Sequence, residues 1–188
     1  MTKSTGIIQI ETGRLRMRPL TMNDLDRVHS IWNDASVRRY LWDDKPVSKE
    51  LAADVLAQSV TSFESDGVGL CGVALKEDDE LIGFCGFRFF DDPPEVEVLY
   101  GLLPDHWGKG LASEATVAML RYGFEELKLE RIYAGADPPN QASFRVMERA
   151  GMRFIKRTEV GGLEAIYYVV AREDFKPNDS TYTLRRAG

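Results

Sequence analysis

Between Leu102 and Ala115 the chain reads LLPDHWGKGLASEA. Pro104 ends one extended run, Gly108 and Gly110 flank Lys109, and an apolar-patterned segment follows at once. A glycine turn that opens a helix suits an anion: the first helical N–H groups are unpaired, and the helix dipole is positive there. Glycine at 110 avoids a Cβ where several N–H groups converge. Ala112 keeps the helix start open, and Glu114 suits the first turn. Two nucleotide loops are excluded. No glycine stands at the Walker spacing before Gly108-Lys109. Ser113 takes the place of the third glycine of a dinucleotide fingerprint, and the motif lies past mid-chain. A plainer reading stays open on these residues alone: two glycines shaping a strand-to-helix turn, with Trp107 in the core and Lys109 in solvent.

Three further side chains carry chemistry. Glu97 alternates with Val96 and Val98 in EVEVLY, just before the loop. It is either a general base or a carboxylate on a solvent-facing strand. Glu95 and Glu164 are lesser candidates. Asn140 follows the helix-excluding pair Pro138-Pro139 and reads as an N-cap. Ser143 lies one turn on, facing the same side, and either bonds the cap or offers a hydroxyl proton. No Ser-His-Asp or Cys-His arrangement is visible, so an acyl-enzyme is disfavoured. His29 and His106 lack metal-site spacing, and no metal is expected. Cys71 and Cys85 sit inside apolar runs and read as buried thiols.

The elements that must position these groups follow from periodicity. IETGRLRMRPL alternates with period two and predicts one half-exposed strand. Thr21, with Asp24 three residues on, predicts a capped helix to about Asn33, carrying Leu25, Val28, Ile31 and Trp32 on one face. Ser48 opens a second helix to about Glu64. VGLCGVAL, ELIGFCGFRFF and EVEVLYGLL read as three antiparallel strands. Then come a largely buried helix over 112–129, the strand RIYAGAD, a helix over 140–150, and a final hairpin around Gly161-Gly162. Mixed hairpins and crossover helices predict an α+β fold with a mixed sheet. Residues 1–9 read as an extension, 10–175 as one domain, and 176–188 as a loosely attached tail.

The 188 residues are 44% hydrophobic and 29% charged, enough for one domain with a real core. A net charge of −6 argues against nucleic-acid binding and fits a cationic substrate weakly. No apolar run reaches membrane-spanning length, and the first residues lack a secretory pattern. A cytoplasmic protein is expected.

With these residues in hand, the opening stretch resembles the acetyl-CoA pyrophosphate loop of the GNAT superfamily of N-acetyltransferases. That loop reads Gln/Arg-x-x-Gly-x-Gly/Ala, and the branch of ribosomal-protein N-terminal acetyltransferases commonly has Trp first. Trp107, Gly110 and Ala112 take the marked places. Glu97-Val-Leu-Tyr100 resembles the Glu-x-Gly-Tyr strand, with Leu99 where glycine is usual, and Asn140-Gln-Ala-Ser143…Gly151-Met resembles the Asn-x-x-Ser…Gly-Phe segment. The resemblance covers roughly 10–175 in the family's element order. It implies the GNAT fold: a mixed, mostly antiparallel seven-stranded sheet with helices on both faces and a central parallel pair splayed between 95–103 and 131–137. It implies acetyl-CoA as acyl donor, with its pyrophosphate on the backbone of Trp107, Gly108, Lys109, Gly110, Leu111 and Ala112. Its pantetheine would lie along Leu102 and Leu103 and near Asn140. Glu97 is then the base and Ser143 the acid, and Trp32, Tyr40, Trp42 and Tyr167, with Tyr168, line the acceptor cleft. The acceptor is a primary amine, first of all a peptide or protein N-terminal α-amine, or else a polyamine or aminoglycoside. A homodimer is the assembly such relatives often form. Two competitors remain: a non-catalytic acyl-CoA sensor of the same fold, and an aminoacyl-tRNA-using relative, against which the missing basic patch argues.

Overall fold

The computed structural model describes residues 8–91, 94–177 and 181–186. The N-terminal alternation does not run as one strand. Thr12-Gly13-Arg14 reverses the chain, and Thr12 N–H donates to the Leu15 carbonyl at 3.0 Å. Ile8–Glu11 (β1) and Leu15–Pro19 (β2) therefore form a hairpin that buries Ile8, Ile10, Leu15 and Met17. The expected cap forms: Thr21 N–H donates to Asp24 Oδ2 at 2.8 Å, and Arg18 pairs with the same carboxylate at 2.7 Å.

Leu25–Asn33 (α1) buries Val28, Ile31 and Trp32. A helix not expected from the sequence follows at once, Ala35–Leu41 (α2). Asp34 Oδ1 starts it by accepting the N–H groups of Ser36 and Val37 at 2.9 and 3.2 Å. Lys49–Asp66 (α3) is capped by Ser48 and stopped by Gly67 at φ 73°. Leu70–Leu75 (β3), Leu81–Phe90 (β4) and Glu95–Leu102 (β5) pair antiparallel in sequence order. Leu111–Glu125 (α4) then leads to Arg131–Ala136 (β6), Gln141–Arg149 (α5), and the hairpin of Arg153–Val160 (β7) with Leu163–Ala171 (β8).

The sheet order is β7-β8-β6-β5-β4-β3-β2-β1, with Thr183–Arg186 (β9) outside β1. That makes nine strands among the described residues where seven were expected. One addition is the split of the first strand at Gly13. The other is β9, which pairs antiparallel with β1 from Ile8↔Arg186 to Glu11↔Thr183. The expected loose tail thus supplies an outer strand, and Ile8 and Gln9 belong to the sheet rather than to an extension. Residues 1–7 of that expected extension lie outside the described residues.

Only β5 and β6 are parallel neighbours among the described strands, and they are in register at a single pair, Glu97 opposite Tyr133. Beyond that pair they part. Even-numbered residues of β5 face the core under α4 and α5, where Val96, Val98 and Leu102 are buried. Odd-numbered ones face α1 to α3: Leu99 packs on that cluster, and a Cβ at Gly101 would meet Phe84 and Val37. α4 buries ten of its residues, from Leu111 to Phe124, so its N-terminus is rigidly aimed.

Candidate active site

Pro104–His106 makes one 3-10 turn off the end of β5, and Trp107–Gly110 carries the chain to α4. Trp107 is not a core residue: its ring is half exposed, and its indole Nε1 donates to the Leu102 carbonyl at 2.6 Å. Gly108 and Gly110 both adopt left-handed backbone, φ 71° and 78°. A Cβ at 108 would meet no atom within 4 Å, and one at 110 only the Arg14 guanidinium at 3.7 Å. Gly108 therefore leaves open space beside the loop at the N-terminus of α4.

The loop is braced from behind. Arg14 donates to the Lys109 carbonyl at 2.9 Å and pairs with Glu114 Oε2 through Nε at 2.8 Å. The Thr12 hydroxyl donates to Glu114 Oε1 at 2.5 Å. Burial works to raise the Glu114 carboxyl, but the Thr12 hydroxyl and the Arg14 backbone and guanidinium outweigh it and hold it below the ordinary range.

Where β5 and β6 part, a cavity of about 320 Å³ opens between residues 98–102, Gly135 and Ala136, the glycine loop, α5 and α2. Leu103 N–H donates across to the Ile82 carbonyl at 2.8 Å. Strand alternation then turns the backbone of Tyr100 and Leu102 toward the gap. On the α5 wall, Asn140 Oδ1 caps the helix by accepting Ser143 N–H at 3.2 Å. Ser143 Oγ lies 2.7 Å from the Tyr100 hydroxyl, a contact in which either oxygen can be the donor, and the Ser143 carbonyl, an acceptor only, lies 3.1 Å from the same hydroxyl. Burial pushes the Tyr100 hydroxyl well above the ordinary tyrosine range.

Glu97 is buried on the other face of β5. Its Oε2 accepts Arg88 Nε at 2.9 Å and a second Arg88 nitrogen at 2.7 Å. Its Oε1 faces Gly135, where a Cβ would stand only 3.0 Å away. Beside it, Tyr167 stacks on Phe90 with ring centroids 6.0 Å apart, and burial, then the Glu97 charge, raises the Tyr167 hydroxyl.

The cavity gathers Leu102, Trp107, Gly108, Gly110, Leu111 and Ala112 on one side and Asn140, Ser143 and Tyr40 on the other. Its lining does not include Leu103, whose N–H is spent on β4, or Lys109, whose side chain is in solvent while Arg14 holds its carbonyl. Trp32 is 1% exposed in the core under α1 to α3, and Trp42 packs on it at 5.5 Å, so neither faces the cavity. Glu97 and Tyr167 sit together on the Gly135 side, off the main lining. Tyr168 is buried against Phe144.

Several residues escaped the sequence reading. Arg14 looked like one arginine of an alternating strand. Asp137 follows Ala136 at the cavity edge, and burial, then Asp43, raises its carboxyl above the ordinary range. His106 lines the cavity with Nδ1 buried and unpartnered, and Arg145 and Arg149, one helical turn apart, add two cations to its wall. The Asp34 cap followed by Val37, Tyr40 and Leu41 was the available signal for α2, which brings Tyr40 to the site.

Among the described residues, no group of three or more His, Cys, Asp or Glu side chains is placed to hold a metal, and no helix is long and apolar enough to cross a membrane. Cys71 and Cys85 are free, buried and directly opposite across β3 and β4.

A profile of the acetyltransferase (GNAT) domain matches residues 14–153. The chain is 34% identical over 138 residues to the uncharacterized N-acetyltransferase p20 of Bacillus licheniformis, covering 72% of this chain and 77% of that one. It is 31% identical over 174 residues to the uncharacterized N-acetyltransferase YnaD of Bacillus subtilis, covering 89% and 99%. A solved structure of a GNAT-family acetyltransferase from Bacillus anthracis superposes with a TM-score of 0.74 at 29% identity, over 88% of this chain and 99% of that one.

Proposed function

The chain belongs to the GNAT acetyltransferase family and is an acetyl-transferring enzyme, and on that premise we propose that it moves the acetyl group of acetyl-CoA to a primary amine by direct attack in a ternary complex. The observation that carries this is the double-glycine loop, left-handed at both glycines and empty beside Gly108, opening a buried helix next to a strand pair that parts.

The residues fit the donor. The loop N–H groups and the α4 N-terminus suit a pyrophosphate, and Arg145 and Arg149 add cations. The backbone of Tyr100 and Leu102 offers a strand edge to an amide-bearing arm. When bound, acetyl-CoA supplies the activated acetyl thioester. The Leu102 N–H polarises the carbonyl under attack. Glu97, directly or through a water, takes the proton that an alkylamine, with a pKa of about 10.4, still carries at neutral pH. Ser143 donates to the departing sulfur.

The loop's resemblance points to a peptide or protein N-terminal α-amine as acceptor, a group whose pKa of about 8 leaves roughly a tenth of it unprotonated at neutral pH, far more than of an alkylamine. A polyamine is the second reading. It is favoured by 28% identity over 145 residues to the spermidine N(1)-acetyltransferase of Escherichia coli and by the net charge of −6. The test is thiol release from acetyl-CoA with N-terminal peptides, polyamines and aminoglycosides in parallel. Turnover of one class fixes the acceptor; tight CoA binding without release for any amine refutes the proposal.

A further inference from the structure

Ser143 alone is an under-determined donor. A serine hydroxyl rotates freely, and its one proton can turn to any nearby acceptor. Here its oxygen has one hydrogen-bonding neighbour of note, the Tyr100 hydroxyl at 2.7 Å. The backbone beneath is held by Asn140 Oδ1, which accepts Ser143 N–H, and the one Tyr100 proton has two acceptors in reach, Ser143 Oγ at 2.7 Å and the Ser143 carbonyl at 3.1 Å, of which Oγ is the nearer. Tyr100 itself comes from rigid β5, its ring packed against the core under α4 and α5. Both side chains line the same cavity.

We propose that Tyr100 is a positioning residue for acetyl transfer: its O–H donates to Ser143 Oγ and thereby directs the Ser143 proton into the cavity, toward the sulfur that leaves. This rests on the donor assignment made under the proposed function. A serine oxygen that accepts from Tyr100 is not donating to it, which leaves its own proton available to the sulfur. When the amine attacks and the C–S bond breaks, the electron pair passes to sulfur, which the Ser143 O–H stabilises. An alkylammonium gives up two protons in becoming an amide: Glu97 takes the one lost before attack, and the one lost as the C–N bond forms completes the CoA thiol, so Ser143 and Tyr100 end the cycle as they began. Tyr100 keeps its proton throughout, because burial disfavours the phenolate.

The test reads the sulfur directly and needs no acceptor. CoA is bound to the full chain, and the pH dependence of its alkylation by iodoacetamide gives the thiol pKa in the complex, with alkylated CoA counted by mass. A donor aimed at sulfur favours the thiolate, so in wild type this pKa lies below that of free CoA by about one to two units, the size of one hydrogen bond to a charged atom. Tyr100→Phe and Ser143→Ala each raise it toward the free value. The double variant raises it no further, because Tyr100 acts only through Ser143. A ring-fluorinated tyrosine at position 100 keeps the shape, donates more strongly and lowers the pKa further. In turnover, Tyr100→Phe lowers kcat roughly 10-fold or more, with KM for acetyl-CoA within about 2-fold. CoA that does not bind the wild type removes the donor assignment and this role with it. CoA that binds with one thiol pKa in wild type and variants, or with Tyr100 and Ser143 shifts that add, overturns the Tyr100 role alone.

Discussion

Gly108→Ala separates backbone strain from ligand exclusion. Gly108 sits at φ 71°, where an L side chain costs about 1–2 kcal/mol. A Cβ there meets nothing within 4 Å, so no clash adds to that cost. At roughly 2–4 °C per kcal/mol for a chain of this size, Tm falls by about 2–8 °C. Gly161, in the β7–β8 turn, is the matched control: φ 59°, and again nothing within 4 Å. The two variants therefore lose similar stability. They differ at the site, because Gly108 lines the cavity and Gly161 does not. A methyl in the anion cradle that forfeits one or two charged hydrogen bonds, at about 1.5–3 kcal/mol each, weakens CoA by more than about 10-fold and up to about 20,000-fold. Calorimetric titration of CoA, with thermal melts of the same samples, reads both quantities. Gly108→Ala with wild-type CoA affinity would refute the assignment of the loop, whatever its Tm.

Glu97→Gln is expected to lower turnover and flatten its pH profile while CoA affinity holds; if Asp137→Asn does this instead, the base is Asp137, whose raised proton affinity fits the task. Glu114 is held below its unfolded carboxylate value, so its contribution is full above about pH 4.3 and is lost as pH falls through the folded value. Glu114→Gln should then flatten the acid limb of a stability-versus-pH curve, and an unchanged limb would remove the Thr12–Arg14–Glu114 brace from that account. Arg14→Ala releases the Lys109 carbonyl and is expected to weaken CoA by about 10- to 150-fold, the worth of one such charged hydrogen bond at about 1.5–3 kcal/mol, read by the same titration.

The helices with caps and strong patterning were legible: Thr21 with Asp24, Ser48, and Asn140 each start what their residue types predict. So was the strand order around the glycine loop, since hairpins leave short turns and crossovers leave helices. What escaped depends on partners distant in sequence. The chain reversal at Gly13 left one signal, a change of parity that the single-strand reading passed over: Ile8 and Ile10 are buried at even positions and Leu15 and Met17 at odd ones. β9 has only four residues and needs β1 to exist. Trp32 and Trp42 were drawn toward the acceptor cleft by their type, yet Trp32 is buried under α1 to α3 and the half-buried Trp42 ring packs on it. The grip of Arg14 on the loop spans 95 residues of sequence, a contact no local pattern records.

The two faces of β5 divide the proposed chemistry. Glu97 shares the odd face with Leu99 and Gly101, toward α1 to α3, and Tyr100 shares the even face with Val98 and Leu102, toward α5 and Ser143. A strand alternates its side chains strictly, so a base at 97 and a proton-directing tyrosine at 100 stand on opposite sides of one backbone. A carbonyl lying along that backbone where β6 departs is then flanked by an acceptor for the amine proton and a donor for the sulfur. Gly135 fits this division: a Cβ there would press on Glu97 Oε1 at 3.0 Å and on Tyr167 at 3.1 Å, so glycine keeps the free carboxylate oxygen approachable. Gly135→Ala should accordingly slow turnover while leaving CoA affinity and the bound thiol pKa unchanged, because it crowds only the odd face. A Gly135→Ala variant that instead shifts the thiol pKa and spares turnover would show that the two faces do not act separately.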